Sequence, residues 1–265
     1  MPAIAATVAD VPALRHFVRS ATRRQVRLGD EDLAALVEQG YVWLEVNALA
    51  LRGVTPGGIM AMAAFYPEPR PASLPAGEPD RVFLRAAAFR SGASPSTALR
   101  SLVEAWAAAT AGATTGARLL IAYGGEAWYN RTLQSAGLAL TEQVRFFELP
   151  HLQRSLDEQP AGPAAADLRP ALAEDLADLA TLDAACFDVL WHMGQGDLRQ
   201  LLLFGAVTLA LVDGCLAGYI AITIRDEVAQ VARIGVHPAY HRRGIGRQLL
   251  LAGLQAAADL GCRSA

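Results

Sequence analysis

The sequence predicts an α+β fold in which helices cover mixed β-sheets, organised as two tandem domains. The chain has 265 residues, of which 53% are hydrophobic and 18% are charged. That length and composition suffice for two domains with a core each, and they exclude a disordered chain. Strand-like runs and apolar-periodic helices follow each other in mixed order, which is typical of sheets with helices on their faces.

The two predicted domains begin alike. In the first, an extended stretch at 4–8 precedes Asp10 and an apolar-periodic helix, and in the second a stretch at 168–172 precedes Asp175 and another helix. Aspartate favours a helix start because its carboxylate accepts hydrogen bonds from unpaired amides and interacts well with the helix dipole. The shared order indicates a duplicated unit, although two unrelated domains can share it by chance.

The first domain is predicted to cover residues 1–150. After its opening helix, the residue pattern predicts strands at 42–50, 58–66, 81–89, 118–122 and 141–149, and helices at 96–109 and 127–136. A loop with five prolines separates the strand at 58–66 from the strand at 81–89.

A linker is predicted at 151–167, because residues 161–166 are small, rich in proline and glycine, and preceded by charged residues. The second domain then covers residues 168–265. Its predicted strands lie at 206–212, 216–225 and 227–236, and Asp213-Gly214 is a strong signal for a hairpin between the first two. A helix at 246–260 has an apolar stripe and is closed by Gly261.

Composition excludes several classes of function. The net charge of −3 argues against nucleic-acid binding by bulk neutralisation of phosphates. All 23 basic residues are arginine, so Schiff-base chemistry on a lysine is impossible. The longest apolar run, 201–212, is shorter than the roughly 20 residues of a membrane span, and the N-terminus does not resemble a signal peptide. We therefore expect a cytoplasmic protein without a membrane partner.

The three cysteines, Cys186, Cys215 and Cys262, lie far apart in the sequence. Their spacing matches neither a disulfide framework nor a zinc site, so we expect no metal cofactor.

One stretch carries recognisable chemistry, the turn between the strand that ends at Val236 and the helix that follows. Pro238 stops the strand, and the turn then combines two glycines, Gly244 and Gly246, with several arginines. Such a turn directs successive backbone N–H groups outward at the positive end of a helix, which is an anion site suited to a diphosphate. Glycine allows close approach of the phosphates, and arginines supply charge around them.

Two other phosphate-binding loops do not fit this turn. A Walker loop needs a lysine, and the sequence has none. A dinucleotide-binding fingerprint needs a third glycine three residues after the second, and that position is Leu249.

The stretch Val236–Leu250 resembles the acetyl-CoA-binding motif of the GNAT N-acetyltransferase superfamily. The family pattern (Q/R)xxGx(G/A) is represented here by His241-Arg242-Arg243-Gly244-Ile245-Gly246, with His241 where glutamine or arginine is usual. The resemblance implies two tandem GNAT-like domains and acetyl-CoA as the co-substrate. It implies that the following residues bind this co-substrate: Ile234, Val236, His241, Arg242, Arg243, Gly244, Ile245, Gly246 and Arg247.

Within that motif, the resemblance implies that backbone amides of the turn hold the pyrophosphate and that the strand residues pair with the pantetheine arm. The implied reaction is direct transfer of an acetyl group to an amine. A backbone N–H near Val236 polarises the thioester carbonyl, and a base removes a proton from the attacking ammonium. Trp191 and His192 lie where the family has its acceptor site, and an aromatic ring with an imidazole suits an amine.

The resemblance does not identify the catalytic acid and base. A complete member of the family continues beyond the third helix with a fifth strand, a fourth helix and two further strands, and the sequence ends at Ala265, where that fifth strand is expected to begin. A truncated chain, a strand from a partner, or a domain without catalysis would each account for this, and we favour truncation. We expect the edge of the fourth strand to be unpaired. Glu227, Gln230 and Tyr129 remain as candidates for catalysis.

The first domain resembles a degenerate copy of the same unit. Its corresponding turn, residues 90–97, has no GxG run, and Pro95 removes an amide that an anion site would use. The family's tyrosine position holds Leu133, with Tyr129 one helical turn earlier. We expect weak or no binding of coenzyme A by this domain.

These observations predict an acyltransferase that acetylates the primary amine of a small molecule or peptide. The alternative is a non-catalytic acyl-CoA-binding or interaction protein with the same fold. We expect no nucleic-acid partner, and a homodimer is compatible with the sequence.

Overall fold

A computed structural model describes the chain except for residues 27, 29, 48–53, 69–76, 113–115, 160–163 and 189. The described chain divides into two compact units. The first contains the described residues of 1–68 and 77–143, and the second those of 144–265. Each unit has a mixed α/β architecture with its own sheet.

The first unit is built on a six-stranded mixed sheet. Its strands are β1 (Ala3–Ala5), β2 (Arg23–Val26), β3 (Val42–Val46), β4 (Ile59–Pro67), β5 (Asp80–Phe89) and β6 (Arg118–Ile121). They are arranged in the order β1-β3-β4-β5-β2, and β6 also pairs with β5. The β5–β6 pair is parallel, and the other pairs are antiparallel.

Four helices cover the two faces of this sheet. They are α1 (Val11–Ser20), α2 (Asp30–Glu38), α3 (Pro95–Thr110) and α4 (Ala127–Ser135). Alternation along β4 separates the two cores: Met62 packs with residues of α1 and α2, whereas Phe65 packs with residues of α3 and α4. Pro95 opens α3, at a helical position where a missing N–H costs nothing.

The second unit is built on a four-stranded antiparallel sheet. Its strands are β7 (Asp167–Pro170), β8 (Ala206–Val212), β9 (Cys215–Arg225) and β10 (Val228–Val236), in the order β10-β9-β8-β7. The β8–β9 hairpin turns at Asp213 and Gly214, with φ of 51° and 76°. Two consecutive positive φ angles define the turn that matches strand twist, so the Asp-Gly prediction is confirmed.

Helices α5 (Leu152–Asp157), α6 (Leu176–Cys186), α7 (Gln195–Phe204) and α8 (Ile245–Asp259) complete the second unit. Leu249 and Leu254 of α8 pack on one face of the sheet, together with Leu152 of α5. Leu179 and Leu198, from α6 and α7, pack on the other face. Within the described residues, no helix is both long and apolar enough to cross a bilayer.

The strand predicted at 141–149 is wrong. These residues form no strand, and those from 144 onward belong to the second unit. Leu149 exchanges two backbone hydrogen bonds with Ala265, of 2.6 and 3.0 Å. The hydrophobic pattern indicated an extended segment, but a pattern does not say which unit the segment joins.

The expectation of an unpaired edge on the fourth strand of the second unit is also wrong at one end of that strand. Val228 of β10 pairs in parallel with Ser264, and the amide of Arg263 donates to the carbonyl of Glu227 at 2.8 Å. The segment 151–167, predicted as a linker, contains helix α5, whose Leu152 is fully buried. Residues 160–163 of that segment lie outside the described residues.

Sequence reasoning did not predict β2 and α2. Strand β2 is short and reads Arg-Arg-Gln-Val, so it carries no hydrophobic alternation. Its place in the sheet depends on antiparallel pairing with residues 86–89 of β5, a contact distant in sequence.

Candidate active site

The turn that follows β10 is held open by two residues in the left-handed backbone region. Gly244, which precedes the first residue of α8, has a φ of 84°, and Arg242 has a φ of 60°. Glycine adopts this conformation without steric cost, which explains its presence at the start of the helix. Pro238 begins a single 3₁₀ turn between β10 and these residues.

A row of backbone amides is unused in this turn. The amides of Arg242, Arg243, Gly244, Ile245 and Gly246 donate to no acceptor within the part of the chain that the structure describes. The amide of Gln248, further along the helix, donates to the carbonyl of Gly244 at 3.0 Å. Residues 241–244 are exposed. Unpaired amides at the positive end of a helix bind anions, so this arrangement is able to hold a diphosphate.

The side chains of the turn are arranged around these amides. The Nε2 atom of His241 lies 2.8 Å from the carbonyl oxygen of Val236. The guanidinium of Arg243 lies 5.2 Å from the centre of the Tyr240 ring, and His237 accepts a hydrogen bond from the amide of Ala239. His241 therefore links the turn to the last residue of β10.

The outer edge of β10 presents backbone groups next to this turn. The amide of His237 donates to the carbonyl of Ala217 on β9, so in the alternating antiparallel pattern Arg233 and Gly235 also bond towards β9. The N–H and C=O groups of Ile234 and Val236 consequently face away from β9. Two residues predicted to pair with an extended ligand thus direct their backbone groups to an edge next to the anion site.

A β-bulge in β10 sets this orientation. The register with β9 shifts between Val231 and Arg233. Before the bulge, Ala229 bonds outward, to the carbonyl of Ser264 at 2.9 Å; after it, Ile234 is the next outward residue. The extra residue changes which backbone N–H and C=O groups face the outer edge after the bulge. For this reason β10 bonds to residues 263–264 at its start, whereas the backbone groups of Ile234 face outward near the turn.

The three candidates for catalysis lie in different surroundings within their own units. Glu227 forms an exposed ion pair with Arg263 at 3.0 Å, and Gln230 is exposed on β10. Tyr129 is only 1% exposed and packs in the core of the first unit. Glu227 directly precedes β10 and Gln230 lies near its beginning, whereas the turn at 241–247 follows the end of that strand.

Trp191 and His192 lie in the connection between α6 and α7. Trp191 is half-buried, and His192 is 5% exposed. The backbone carbonyl of Trp191 accepts a hydrogen bond from the guanidinium of Arg233 on β10. The connection is thus attached to the strand whose outer edge lies beside the turn.

Sequence reasoning missed the buried polar cluster behind this attachment. Asp183 of α6 is fully buried and pairs with Arg233, whose side chain is 8% exposed, and the hydroxyl of Tyr219 donates to the same carboxylate at 2.5 Å. A signal existed: Asp183 and Arg233 interrupt apolar runs in a helix and a strand, where a charge needs a partner.

Burial raises the pKa of two titratable groups near this cluster. Burial and the Asp183 carboxylate raise the pKa of the Tyr219 hydroxyl, which therefore stays protonated and donates. Burial, with a contribution from Asp183, raises the pKa of the Cys186 thiol to about 11. Among the described residues, no group of three or more histidine, cysteine or acidic side chains is placed to hold a metal ion.

Part of the chain matches a known family model. Residues 176–265, about a third of the chain, match the model of the Acetyltransferase (GNAT) family. No curated protein matches the chain.

Several solved structures resemble part of this chain. The ribosomal-protein-S18-alanine N-acetyltransferase from Escherichia coli is 16% identical with a TM-score of 0.34, over 36% of this chain and 61% of its own. The PaiA N-acetyltransferase from Thermoplasma acidophilum, solved with coenzyme A, is 19% identical with a TM-score of 0.34, over 36% and 74%.

A GNAT family acetyltransferase from Brucella melitensis, solved with acetyl-CoA, is 23% identical with a TM-score of 0.33, over 37% of this chain and 71% of its own. The family model covers α6 to α8, and with them β10 and the turn at 241–247. Residues 176–265 are therefore matched to the GNAT acetyltransferases.

Proposed function

We propose that the second unit is an N-acetyltransferase that uses acetyl-CoA to acetylate the primary amine of a small molecule or peptide. The observation that carries the proposal is the row of five unused amides at the start of α8, beside outward-facing backbone groups of β10. The match of residues 176–265 to the Acetyltransferase (GNAT) family model supports the same donor.

The residues of the chain fit this co-substrate. Amides 242–246, with the charges of Arg242, Arg243 and Arg247, hold the diphosphate. A Cβ built on Gly246, one of the five residues with unused amides, would meet only the Val236 side chain, at 3.6 Å, so the site has room for a small side chain. The outward N–H and C=O groups of Ile234 and Val236 pair with an extended amide arm as a further strand does. His241 releases or shares the Val236 carbonyl when that arm pairs.

Acetyl-CoA supplies the activated acyl group. An outward N–H of β10 donates to the thioester oxygen, where negative charge develops during attack. The attacking amine has to lose its proton before or during this step, and water or an exposed group beside β10 accepts it. As the new N–C bond forms, the C–S bond of the thioester breaks. Coenzyme A leaves as its thiolate, which takes up a proton from solvent, and the acetyl group stays on the amine. Trp191 and His192 are proposed to border the acceptor.

The first unit is proposed to be a copy that has lost this site. Strand β2 pairs with residues 86–89 of β5, directly before the turn at 90–94, so this part of the edge is already occupied by the chain itself. In β10 the corresponding part of the edge presents Ile234 and Val236. Pro95 also removes the first amide of α3.

A non-catalytic acyl-CoA-binding protein is the second candidate. One observation favours it: Glu227, the acidic candidate for catalysis, is engaged in an ion pair with Arg263 at the start of β10. The two functions share the binding step and differ in turnover.

The substitution Gly246→Asp tests the anion site. It places a carboxylate before the unused amides, where it is compatible with the helix dipole but repels a diphosphate. We expect the affinity for coenzyme A, measured by isothermal calorimetry, to fall by about tenfold or more, equivalent to about 1.4 kcal/mol.

Gly196→Asp is the matched control, because Gly196 lies in the first turn of α7 with open space around it. It should leave the affinity unchanged. Equal affinities of the two variants, each with a native unfolding transition, would show that coenzyme A does not use these amides.

Turnover separates the two candidate functions. Acetyl-CoA is incubated with polyamines, aromatic amines, amino sugars and short peptides, and acetylated products are detected by mass spectrometry. Product from any of them supports the transferase. Binding of acetyl-CoA without product from any acceptor class supports the binding protein.

A further inference from the structure

The buried ion pair in the second unit has the geometry of a double clamp. The Nε and Nη2 atoms of Arg233 lie 2.9 and 3.1 Å from the two carboxylate oxygens of Asp183. The same carboxylate accepts from the Tyr219 hydroxyl at 2.5 Å and from the amide of Met193 at 2.9 Å. Helix α6, strands β9 and β10, and the segment after α6 therefore meet at one carboxylate.

Three points of the connection between α6 and α7 are attached to this pair. We define the acceptor loop as residues 187–194, of which residue 189 lies outside the described part. The Arg233 guanidinium lies 3.6 Å from the centre of the Phe187 ring and donates to the carbonyl of Trp191. The amide of Met193 donates to Asp183. The beginning, middle and end of the loop are each held by one partner of the ion pair.

The clamp lies directly behind the open edge of β10. The side chain of Arg233, and a Cβ added at Gly235, lie on the face of β10 that packs against α6. The side chains of Ile234 and Val236 pack towards α8 on the other face. A Cβ added to Gly235 would lie 3.1 Å from the rings of Phe187 and Tyr219, so the loop reaches the strand backbone itself. An amine that approaches the edge from this face meets the acceptor loop.

A buried ion pair is a poor means of gaining stability. Desolvation of two charges offsets most of their attraction, and apolar replacements of similar volume are often as stable. A bidentate pair does fix geometry, because the planar guanidinium accepts few orientations. The other hydrogen bonds of Asp183 and Arg233 are made with the acceptor loop and with Tyr219.

We propose that Asp183 and Arg233 are positioning residues that fix the acceptor loop beside the open edge of β10, so that Trp191 and His192 form one wall of the acceptor site. This inference rests on the proposed function for its acceptor, and on the geometry alone for the loop. Neither residue is assigned contact with the co-substrate or with the reacting atoms.

Fluorine spectroscopy reports on the loop without any activity. Trp191 is the only tryptophan of the second unit, and Trp43, Trp106 and Trp128 of the first unit serve as internal references. The protein is labelled with 5-fluorotryptophan, and Trp191→Phe assigns the Trp191 resonance. In Arg233→Lys, which lacks the planar fork, we expect the Trp191 resonance to shift or broaden while the other three stay in place.

A second variant separates positioning from stability. Asp183→Leu, Tyr219→Phe and Arg233→Met together replace the polar cluster by apolar side chains of similar size. We expect a cooperative urea transition close to that of the wild type, with a displaced Trp191 resonance. An unchanged Trp191 resonance in either folded variant, or equal shifts of all four, would overturn the loop assignment.

Kinetics and calorimetry test the acceptor wall. With the best amine of the panel, both variants should raise KM for the amine by about tenfold while the affinity for acetyl-CoA changes less than twofold. Loss of acetyl-CoA affinity in step with KM would mean a structural role and overturn the wall. If the wild type binds no acetyl-CoA, or binds it without acetylating any amine, both the transferase proposal and the acceptor-site role of Trp191 and His192 are overturned. The fluorine spectra would then still decide whether Asp183 and Arg233 fix the loop.

Discussion

Asp175 shows at the residue scale how one side chain organises the start of a helix. Its two carboxylate oxygens accept from Arg169 at 2.7 Å each, and Oδ2 also accepts from the amide of Leu172 at 2.7 Å. These contacts join the end of β7 to the start of α6. Asp175 was predicted from its position before the helix, whereas its pairing with Arg169 was not.

A pH dependence follows from Asp175. The hydrogen bonds from Arg169 lower the pKa of this carboxyl to about 2, below the about 3.9 expected in the unfolded chain. A depressed folded-state pKa stabilises the fold above about pH 4, and the stabilisation disappears as the pH falls towards 2. We expect Asp175→Asn to unfold at lower urea concentration than the wild type at pH 6, with the gap narrowing towards pH 3.

The control for this effect is Asp178→Asn, an exposed position in the same first turn of α6. Asp178→Asn removes only an interaction with the helix dipole, so it should change the stability difference between pH 6 and pH 3 less than Asp175→Asn does. A gap for Asp175→Asn that does not change with pH would contradict the assignment of Asp175.

At the element scale, helix α8 packs closely on the sheet of the second unit, and this packing fixes the position of its first residues. Its Leu249 and Leu254 pack on the β-sheet, and Gly253 faces Ile220 and Ile222 of β9. The side-chain amide of Gln248 also donates to the carbonyl of Ala166 at 2.8 Å. These contacts hold the turn, with its unused amides, next to the end of β10.

At Gly253 the helix backbone closely approaches the side chains of β9. A Cβ there would lie 2.9 Å from the Cδ1 atom of Ile220 and 3.2 Å from a carbon of Ile222, so a larger residue lifts the helix or displaces both side chains. We expect Gly253→Val to lower the free energy of urea unfolding by about 1–3 kcal/mol. Gly196→Val, in open space on α7, should change it little. Equal effects of the two would contradict close packing at Gly253.

The two units share an order of connections at the scale of the whole molecule. In the first, β5 is followed by α3 and then by β6, which pairs with β5 in parallel. In the second, β10 is followed by α8 and then by Ser264, which pairs with β10 in parallel. This shared strand–helix–parallel-strand order supports the proposal of a duplicated unit. The units differ at the outer edge next to the turn, which β2 fills in the first.

The pairing of Leu149 with Ala265 is a second feature at this scale, because it joins residues that are distant in sequence within one unit. Leu149→Pro removes the amide that donates to Ala265, whereas Leu149→Ala keeps the amide and removes the side chain. We expect the proline variant to be less stable than the alanine variant by about 0.5–1.5 kcal/mol in urea unfolding. Equal stabilities would show that this hydrogen bond does not form in solution.

The sequence by itself determined what depends on neighbouring residues. The hairpin at Asp213-Gly214 and the turn with Gly244 were predicted because their backbone conformations follow from glycine and its immediate neighbours. The apolar stripe of α8 likewise gives the helix and its buried face from a local period.

Only the tertiary structure decided which distant residues meet. The pairing of β2 with β5, of Leu149 with Ala265, and of Asp183 with Arg233 joins segments that no local pattern relates. The partner of a buried charge or an open strand edge is set by how whole elements pack, and many partners satisfy the same local sequence. For this reason the turn that we propose to bind a diphosphate was visible in the sequence, whereas the ion pair between Asp183 and Arg233 was not.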